Sequence, residues 1–228
     1  MAAVAIGLFA VSVNVACARA ERRTRPVTYV AIGASDTVGE GAADPEKDSW
    51  VSIVHRRLPA GSDLVRLGIS GSTAAEALVE QVPKAEKVDA DIVTIWLAVN
   101  DLNATVPASE YEKQLDEIVK RVARPGVRVF VGNVPDLTKI PKYKVIPPVV
   151  LRGGIRAYND AIERVVDKHD AVLVDLFDSS KDAPPGENVV SSDGFHPSAA
   201  GYRRIAEVFW KVIEDDPKIG PVVRSLAY

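Results

Sequence analysis

The chain has 228 residues with a formal net charge of −3 at pH 7; 47% of the residues are hydrophobic and 26% are charged. This length suits one α/β domain with a short appendage, and the ordinary balance of apolar and charged residues excludes disordered and fibrous classes. The net negative charge argues against a nucleic-acid partner, whose phosphates need a clustered basic surface. The single cysteine, Cys17, excludes a disulfide framework and a cysteine-based zinc cluster.

The first twenty residues are almost entirely apolar up to Cys17 and contain no acidic residue. Ala18 and Ala20 flank Arg19 in the small-x-small pattern of a signal-peptidase site, which predicts a secretory signal and a secreted or cell-envelope protein. Two alternatives stay open. Lipidation at Cys17 is one, although Asn14 stands where lipoprotein sites carry an aliphatic residue. Retention as a membrane anchor is the other, because arginines follow the apolar run and none precedes it.

From residue 27 onward, apolar runs and helical spacings alternate. In chain order they predict a strand at 27–34, a helix at 46–58, a strand at 63–69, a helix at 73–81, a strand at 91–99, a helix opening at Ser109, a strand at 127–134, a helix through 155–165, a strand at 171–177 and a helix from Pro197 to about Ile213. The run at 91–99 predicts a central parallel strand, since both of its faces are apolar. The segment 135–150 carries four prolines without clear periodicity and is predicted to form a long loop.

Five successive strand–helix units predict an α/β fold. The expected architecture is a three-layer α/β/α sandwich around a five-stranded, mostly parallel, doubly wound sheet of the flavodoxin-like type. Residues 27–213 are expected to form this domain. The apolar segment 1–20 precedes it, and a C-terminal tail at 214–228 follows it.

Polar residues follow four of the predicted strands, namely Ser35, Gly71, Asn100 and Asp136. In an open parallel sheet the ligand crevice lies beyond the carboxyl ends of the strands, so these residues are expected to converge. Asp136 is the second residue of the proline-rich segment and is predicted to contact substrate, since loops over such a crevice often do so.

A hydroxyl, an imidazole and a carboxylate stand in two distant segments. Ser35 lies in the glycine-flanked turn YVAIGASDTVGEGA, and Asp193 precedes His196 by three residues in SSDGFHP. These are the parts of an activated serine nucleophile, in which histidine takes the hydroxyl proton and a carboxylate orients the histidine. The other two histidines, His55 and His169, lack partners at metal-ligand spacing and are interpreted as surface or packing residues.

Four segments, in order, resemble the SGNH (GDSL-type) serine hydrolases: GASDTVG around Ser35, GISGST around Gly71, AVND around Asn100, and DGFHP with Asp193 and His196. The resemblance implies Ser35 as nucleophile, His196 as general base and Asp193 as the residue that orients His196. It also implies an oxyanion hole formed by the backbone N–H groups of Ser35 and Gly71 and the side-chain amide of Asn100. No metal or organic cofactor is implied.

The resemblance covers about residues 27–213 and departs from the family pattern around two motifs. Ala34 precedes the nucleophile where the family usually has aspartate, and Asp36 follows it. Ala98 stands two positions before the asparagine, where glycine is usual. Ala34 and Ala98 neither carry a proton nor form the oxyanion hole, so the departures bear on turn geometry, rate and acyl preference.

Each candidate residue also has a purely structural interpretation. Ser35 fits a helix N-cap, Asp193 a turn cap, His196 a surface residue, Gly71 a helix-start glycine and Asn100 a loop-fixing side chain. Singly these interpretations are favoured, but together they require four coincidences in the right order, so the catalytic interpretation is preferred.

The sequence therefore predicts a serine esterase or lipase that acts through an acyl-enzyme on small-molecule, lipid or sugar esters. Two alternatives stay open. One is a carbohydrate acetyl esterase of the same fold, and the other is a non-catalytic binding module tethered to the cell envelope.

Overall fold

The computed structural model describes residues 25–181 and 188–224. The predicted signal segment, with Cys17, lies outside these residues. Within the described ranges, no helix has the length and apolar character needed to cross a membrane.

A single five-stranded parallel sheet forms the centre of the fold. Its strands are β1 (Thr28–Gly33), β2 (Asp63–Arg66), β3 (Ile92–Trp96), β4 (Arg128–Gly132) and β5 (Val172–Val174). They are arranged in the order β2-β1-β3-β4-β5, and every neighbouring pair is parallel. This order confirms the predicted doubly wound fold, and it brings the carboxyl ends of all five strands to one edge.

Helices connect the strands and cover both faces of the sheet. They are α1 (Ser35–Val38), α2 (Pro45–Asp48), α3 (Trp50–His55), α4 (Ala74–Glu80), α5 (Val82–Ala85), α6 (Val99–Asn103), α7 (Ala108–Val122), α8 (Pro148–Lys168), α9 (Leu176–Lys181), α10 (Ala199–Asp215) and α11 (Gly220–Val223). The apolar spacing of the long helices α7, α8 and α10 places one side of each against the sheet.

Two predicted elements are divided in the structure. The helix expected at 46–58 is split into α2 and α3 at Ser49, whose extended backbone and side chain cap the second helix by accepting from Ser52 N–H. The strand expected at 91–99 ends at Trp96, because the chain turns at Ala98 with a φ of 87° and enters α6.

The proline-rich segment 135–150 is more regular than the predicted loop. It contains two 3₁₀ turns, Leu137–Lys139 and Pro141–Tyr143, and its last residues already belong to α8. The prediction missed the start of α8 because its first residue is a proline, which fits the first turn of a helix but also resembles a loop residue. The last long helix begins at Ala199 after the cap residue Ser198, two residues later than predicted.

The core consists of two layers, one on each face of the sheet. Helices α4, α7 and α8 cover one face, and α3, α10 and α11 cover the other. Trp50 of α3 stacks on Phe209 of α10 with ring centroids 4.0 Å apart, and Trp96 meets Trp50 edge-on, so both tryptophans are core residues. The segment expected as a C-terminal tail contributes Val223 to this layer.

Candidate active site

Ser35 is the first residue of α1, directly beyond the carboxyl end of β1. Ala34 is the N-cap, so the alternative N-cap role for Ser35 does not hold. The first N–H groups of a helix lack an acceptor one turn earlier, which frees the Ser35 N–H for a ligand. The Ser35 side chain is 6% exposed and lines a small cavity of about 10 Å³, with room for about one water molecule.

A buried glutamine holds the Ser35 turn in place. Gln81 Oε1 accepts from Gly33 N–H at 3.0 Å, and its Nε2 donates to Gly33 O at 2.9 Å and to Ser72 Oγ at 3.1 Å. The end of β1 is therefore fixed to the loop that carries Gly71. Sequence reasoning missed Gln81, since a glutamine at the end of a helix carries no catalytic signal.

Gly71 lies between β2 and α4, and Asn100 is the second residue of α6, which follows β3. Gly71 has a φ of 80°, and an added Cβ would meet no atom within 4 Å, so backbone conformation rather than crowding requires glycine here. Asn100 Nδ2 donates to Ser72 O at 3.1 Å, and this bond uses one of the two N–H groups of the amide. Asn100 lines the same small cavity as Ser35.

Asp101, the residue after Asn100, joins α6 to the start of α4. Both carboxylate oxygens accept from Ala74 N–H, at 3.1 and 3.2 Å, which fixes the start of α4 beside Asn100. Burial raises the pKa of the Asp101 carboxyl, partly offset by these backbone N–H groups.

His196 and Asp193 are in direct contact on the loop before α10. His196 Nδ1 donates to Asp193 Oδ2 at 2.6 Å, and Asp193 Oδ1 accepts from the backbone N–H groups of Phe195 and His196 at 2.7 and 2.9 Å. Partial burial alone would raise the pKa of the Asp193 carboxyl, but hydrogen bonds from His196, Ser191 and these backbone groups hold that pKa well below its usual value. Asp193 thus stays ionised and fixes the ring orientation of His196.

The segment with His196 closes on the nucleophile turn. A Cβ on Gly41 would lie 2.9 Å from the Cβ of His196, and Phe195 lines the small cavity together with Ser35 and Asn100. In the described part of the chain, no hydrogen bond joins Ser35 Oγ to His196; Nε2 instead lies 3.3 Å from Glu40 Oε2. Catalytic hydrogen bonds are often long without substrate and tighten when it binds.

Asp36, directly after the nucleophile, is half-buried beside His196. Burial raises the pKa of the Asp36 carboxyl to about 6; the charge of His196 lowers this pKa, whereas Glu40 and Asp193 raise it. Asp36 therefore titrates near the pH at which a histidine base changes charge.

A larger groove of about 400 Å³ adjoins the small cavity. Asp36, Trp96 and Phe195 line both, and the rest of the groove is mainly apolar, with side chains such as Leu137, Ile140, Leu176, Ile205 and Val208. Asp136 lies on its wall, where its Oδ1 accepts from Thr138 N–H at 3.1 Å and Thr138 Oγ1 at 2.5 Å. The carboxylate of Asp136 thus caps a 3₁₀ turn, and its predicted contact with substrate stays a prediction.

The other histidines make structural contacts. His55 Nε2 lies 2.8 Å from Ser62 O, and His169 Nε2 lies 2.6 Å from Asp116 Oδ1. Across residues 25–181 and 188–224, no cluster of three or more histidine, cysteine, aspartate or glutamate residues is arranged to hold a metal ion.

Comparison with known proteins gives matches to one family and one fold. The model of the GDSL-like Lipase/Acylhydrolase family matches residues 31–204. GDSL esterase/lipase CPRD49 of Arabidopsis thaliana is 24% identical over 184 residues, which cover 73% of this chain and 72% of that protein.

Solved structures share the architecture. TesA is similar with a TM-score of 0.66 and 24% identity, over 82% of this chain and 97% of TesA. A mutant of Axe2, an acetyl-xylooligosaccharide esterase from Geobacillus Stearmophilus, is similar with a TM-score of 0.67 and 19% identity, over 89% of this chain and 98% of that one. At these identities the likeness concerns the fold.

Proposed function

Because the chain belongs to the GDSL-like lipase/acylhydrolase family and is a hydrolase acting on ester bonds, we propose that it cleaves carboxylic esters through an acyl-enzyme on Ser35. Ser35 Oγ attacks the ester carbonyl while His196 Nε2 takes its proton, and the same proton then passes to the departing alcohol. Water, activated by His196 in turn, releases the acid and restores Ser35.

The negative charge that develops on the carbonyl oxygen needs donors already in place. The free N–H of Ser35, the N–H of Gly71 and the amide of Asn100 are the proposed donors, held by the bonds of Gln81 and Asn100 to Ser72. Each such donor typically contributes about 3 kcal/mol of transition-state stabilisation.

The contact between His196 and Asp193 carries the proposal. A 2.6 Å charge-assisted bond at Nδ1 leaves Nε2 as the nitrogen that exchanges protons with a substrate. Phe195, the residue before His196, lines the same cavity as Ser35 and Asn100. A purely structural role for these residues does not explain why three separate segments of the chain meet at this cavity.

The adjoining apolar groove favours esters with a hydrocarbon chain over simple acetyl esters. Apolar surface binds a hydrocarbon chain because both are removed from water, and an acetyl group would leave a groove of about 400 Å³ almost empty. We therefore expect kcat/KM for p-nitrophenyl esters to rise from acetate toward medium acyl chains. A strict preference for acetate, and activity on acetylated sugars, would instead support the carbohydrate acetyl esterase.

Hydrolysis of p-nitrophenyl esters by Ser35→Ala tests the nucleophile. Loss of the nucleophile should lower kcat/KM at least about 10³-fold, because the remaining machinery acts as a unit with it. Ser109→Ala, on the exposed side of α7, removes a hydroxyl away from the site and should leave kcat/KM unchanged. Activity of Ser35→Ala within tenfold of wild type would refute the proposal, and a folded wild type inactive on every ester would favour a binding module.

A further inference from the structure

The imidazole of His196 lies between two carboxylates, one at each ring nitrogen. Asp193 Oδ2 is 2.6 Å from Nδ1, and Glu40 Oε2 is 3.3 Å from Nε2. Nδ1 is hydrogen-bonded to Asp193, whereas Nε2 faces the Glu40 carboxylate at ion-pair distance, so this second contact becomes an ion pair only when the imidazole is protonated at both nitrogens. An imidazolium has no free electron pair and does not accept the proton of Ser35.

Glu40 also contacts the other parts of the site. Its Oε1 accepts from Ser70 Oγ, next to Gly71. Its backbone N–H donates to Ser35 O at 3.0 Å, and its carbonyl accepts from Tyr202 Oη at 2.5 Å. The backbone of Glu40 is therefore fixed at the nucleophile turn, while its carboxylate joins the base to the loop of the proposed oxyanion hole.

We propose that Glu40 is a positioning residue for ester hydrolysis: its carboxylate holds His196 Nε2 and Ser70 together in the free enzyme and releases Nε2 when the base acts on Ser35. When His196 is protonated at both nitrogens, this release requires that it first lose its Nε2 proton to water, and the electron pair left on Nε2 then faces the Ser35 hydroxyl. The proton of Ser35 then moves to Nε2 as the bond from Oγ to the acyl carbon forms.

The charged and titratable groups around His196 come from several elements. Asp193 on its own loop, Glu40 on the turn after α1 and Asp36 on α1 are acidic. Burial raises the pKa of Tyr202 on α10, so this phenol stays neutral. Lys142 is a cation on the neighbouring 3₁₀ turn, but its ammonium lies 3.6 Å over the ring of Phe195. The positive charge that the imidazole gains is thus balanced from several elements.

The inference rests on the proposed function and is tested by the pH profile of kcat/KM on a p-nitrophenyl ester, from about pH 5 to about pH 9. Glu40→Gln keeps an acceptor for Ser70 but removes the charge. The acidic limb of its pH profile should move about 0.5–1 pH unit lower, a displacement that matches the energy of a half-exposed ion pair. The plateau value of kcat/KM should stay within about fivefold of wild type.

Glu40→Ala removes the charge and the link to Ser70 together. It should show the same displacement of the acidic limb and a plateau about tenfold lower, because Gly71 and His196 lose a shared anchor. Glu40→Gln should therefore restore the plateau but keep the displaced acidic limb. A merely structural role of Glu40 would not displace the acidic limb. Glu163→Gln removes one exposed carboxylate from the far end of α8 and should leave the profile unchanged.

The outcomes separate this inference from the proposed function. If wild type is active, Ser35→Ala is inactive and the Glu40→Gln profile coincides with wild type, the role of Glu40 is refuted and the acyl-enzyme proposal stands. If Ser35→Ala retains activity, or folded wild type has none, both fall. Thermal unfolding of each variant, compared with wild type, shows whether a lost plateau reflects lost structure.

Discussion

Asp36 is a carboxyl group of the site whose ionisation is opposed by its surroundings. It directly follows the nucleophile, lines both cavities and has a pKa raised to about 6 by burial. A carboxyl group whose pKa is higher in the folded state than in the unfolded chain binds its proton more tightly when folded. Its ionisation therefore reduces stability as the pH rises from about 4 through 6.

Asp36→Asn should stabilise the protein in a pH-dependent way. Above pH 6 the variant avoids the cost of a buried carboxylate and should gain about 1–3 kcal/mol in free energy of unfolding, while near pH 4 the gain should vanish. Urea unfolding at both pH values measures the difference. The exposed Asp160→Asn should show the same small effect at both, and a pH-independent gain for Asp36→Asn would contradict the assignment.

Thr105 carries backbone strain outside the site. It follows α6 with a φ of 56°, a left-handed conformation that a β-branched residue adopts at a cost of about 1–2 kcal/mol. The side chain is exposed, so its removal loses no core packing. Ala98 also has a positive φ, of 87°, but its methyl group is buried. A glycine at this position would relieve backbone strain and lose core packing, and these two effects on stability oppose each other.

Thr105→Gly should raise the free energy of unfolding by about 0.5–1 kcal/mol, since relief of strain exceeds the added flexibility of glycine in the unfolded chain. Thr105→Ala retains a Cβ and should gain less. Denaturant unfolding of the three proteins compares them, and a destabilised glycine variant would show that the left-handed turn is not strained.

At the scale of elements, one ion pair joins the sheet to the C-terminal helices. Arg128 at the start of β4 donates to Asp216 Oδ2 at 2.7 Å, and Asp216 is 2% exposed. The other oxygen of Asp216 accepts from Lys218 and Ile219 N–H, both at 2.9 Å. This carboxylate therefore fixes the chain between α10 and α11 to the sheet, so the predicted C-terminal tail includes a structural part.

Asp216→Ala should lower the free energy of unfolding by about 2–4 kcal/mol, because the largely buried Arg128 loses its closest carboxylate and keeps only the exposed Asp170, whose Oδ2 is 3.7 Å away. Asp215→Ala is the matched control: the neighbouring carboxylate pairs with Lys211 and Arg224 on the surface, and its loss should cost about 0.5 kcal/mol or less. Equal effects of the two substitutions in urea unfolding would contradict the structural role of Asp216.

At the scale of the whole molecule, the sequence was sufficient to predict the sheet and the sheet edge at which the proposed site residues lie. Parallel strands end at one edge, so Ser35, Gly71 and Asn100, each within a few residues of the end of a strand, were expected to converge. The alternation of apolar runs set the number of strands, and the structure has all five in parallel.

The residues that hold the site together were not predictable in the same way. Glu40 meets Ser70 thirty positions away and His196 much further along the chain, and Gln81 reaches back 48 positions to Gly33. Contacts of this kind depend on how loops fold over the edge of the sheet. No sequence pattern of glutamate or glutamine predicts such contacts. The groove beside the site is likewise formed by segments far apart in sequence.

Covalent labelling with a fluorophosphonate, followed by mass spectrometry of the digested protein, tests the central claim most directly. The reagent reacts with a serine whose hydroxyl is activated by a base and whose oxyanion is stabilised. We predict one adduct on Ser35, strongly reduced labelling of His196→Ala and none at all at this position in Ser35→Ala. An adduct on a different serine, or no adduct on folded wild type, would contradict the account.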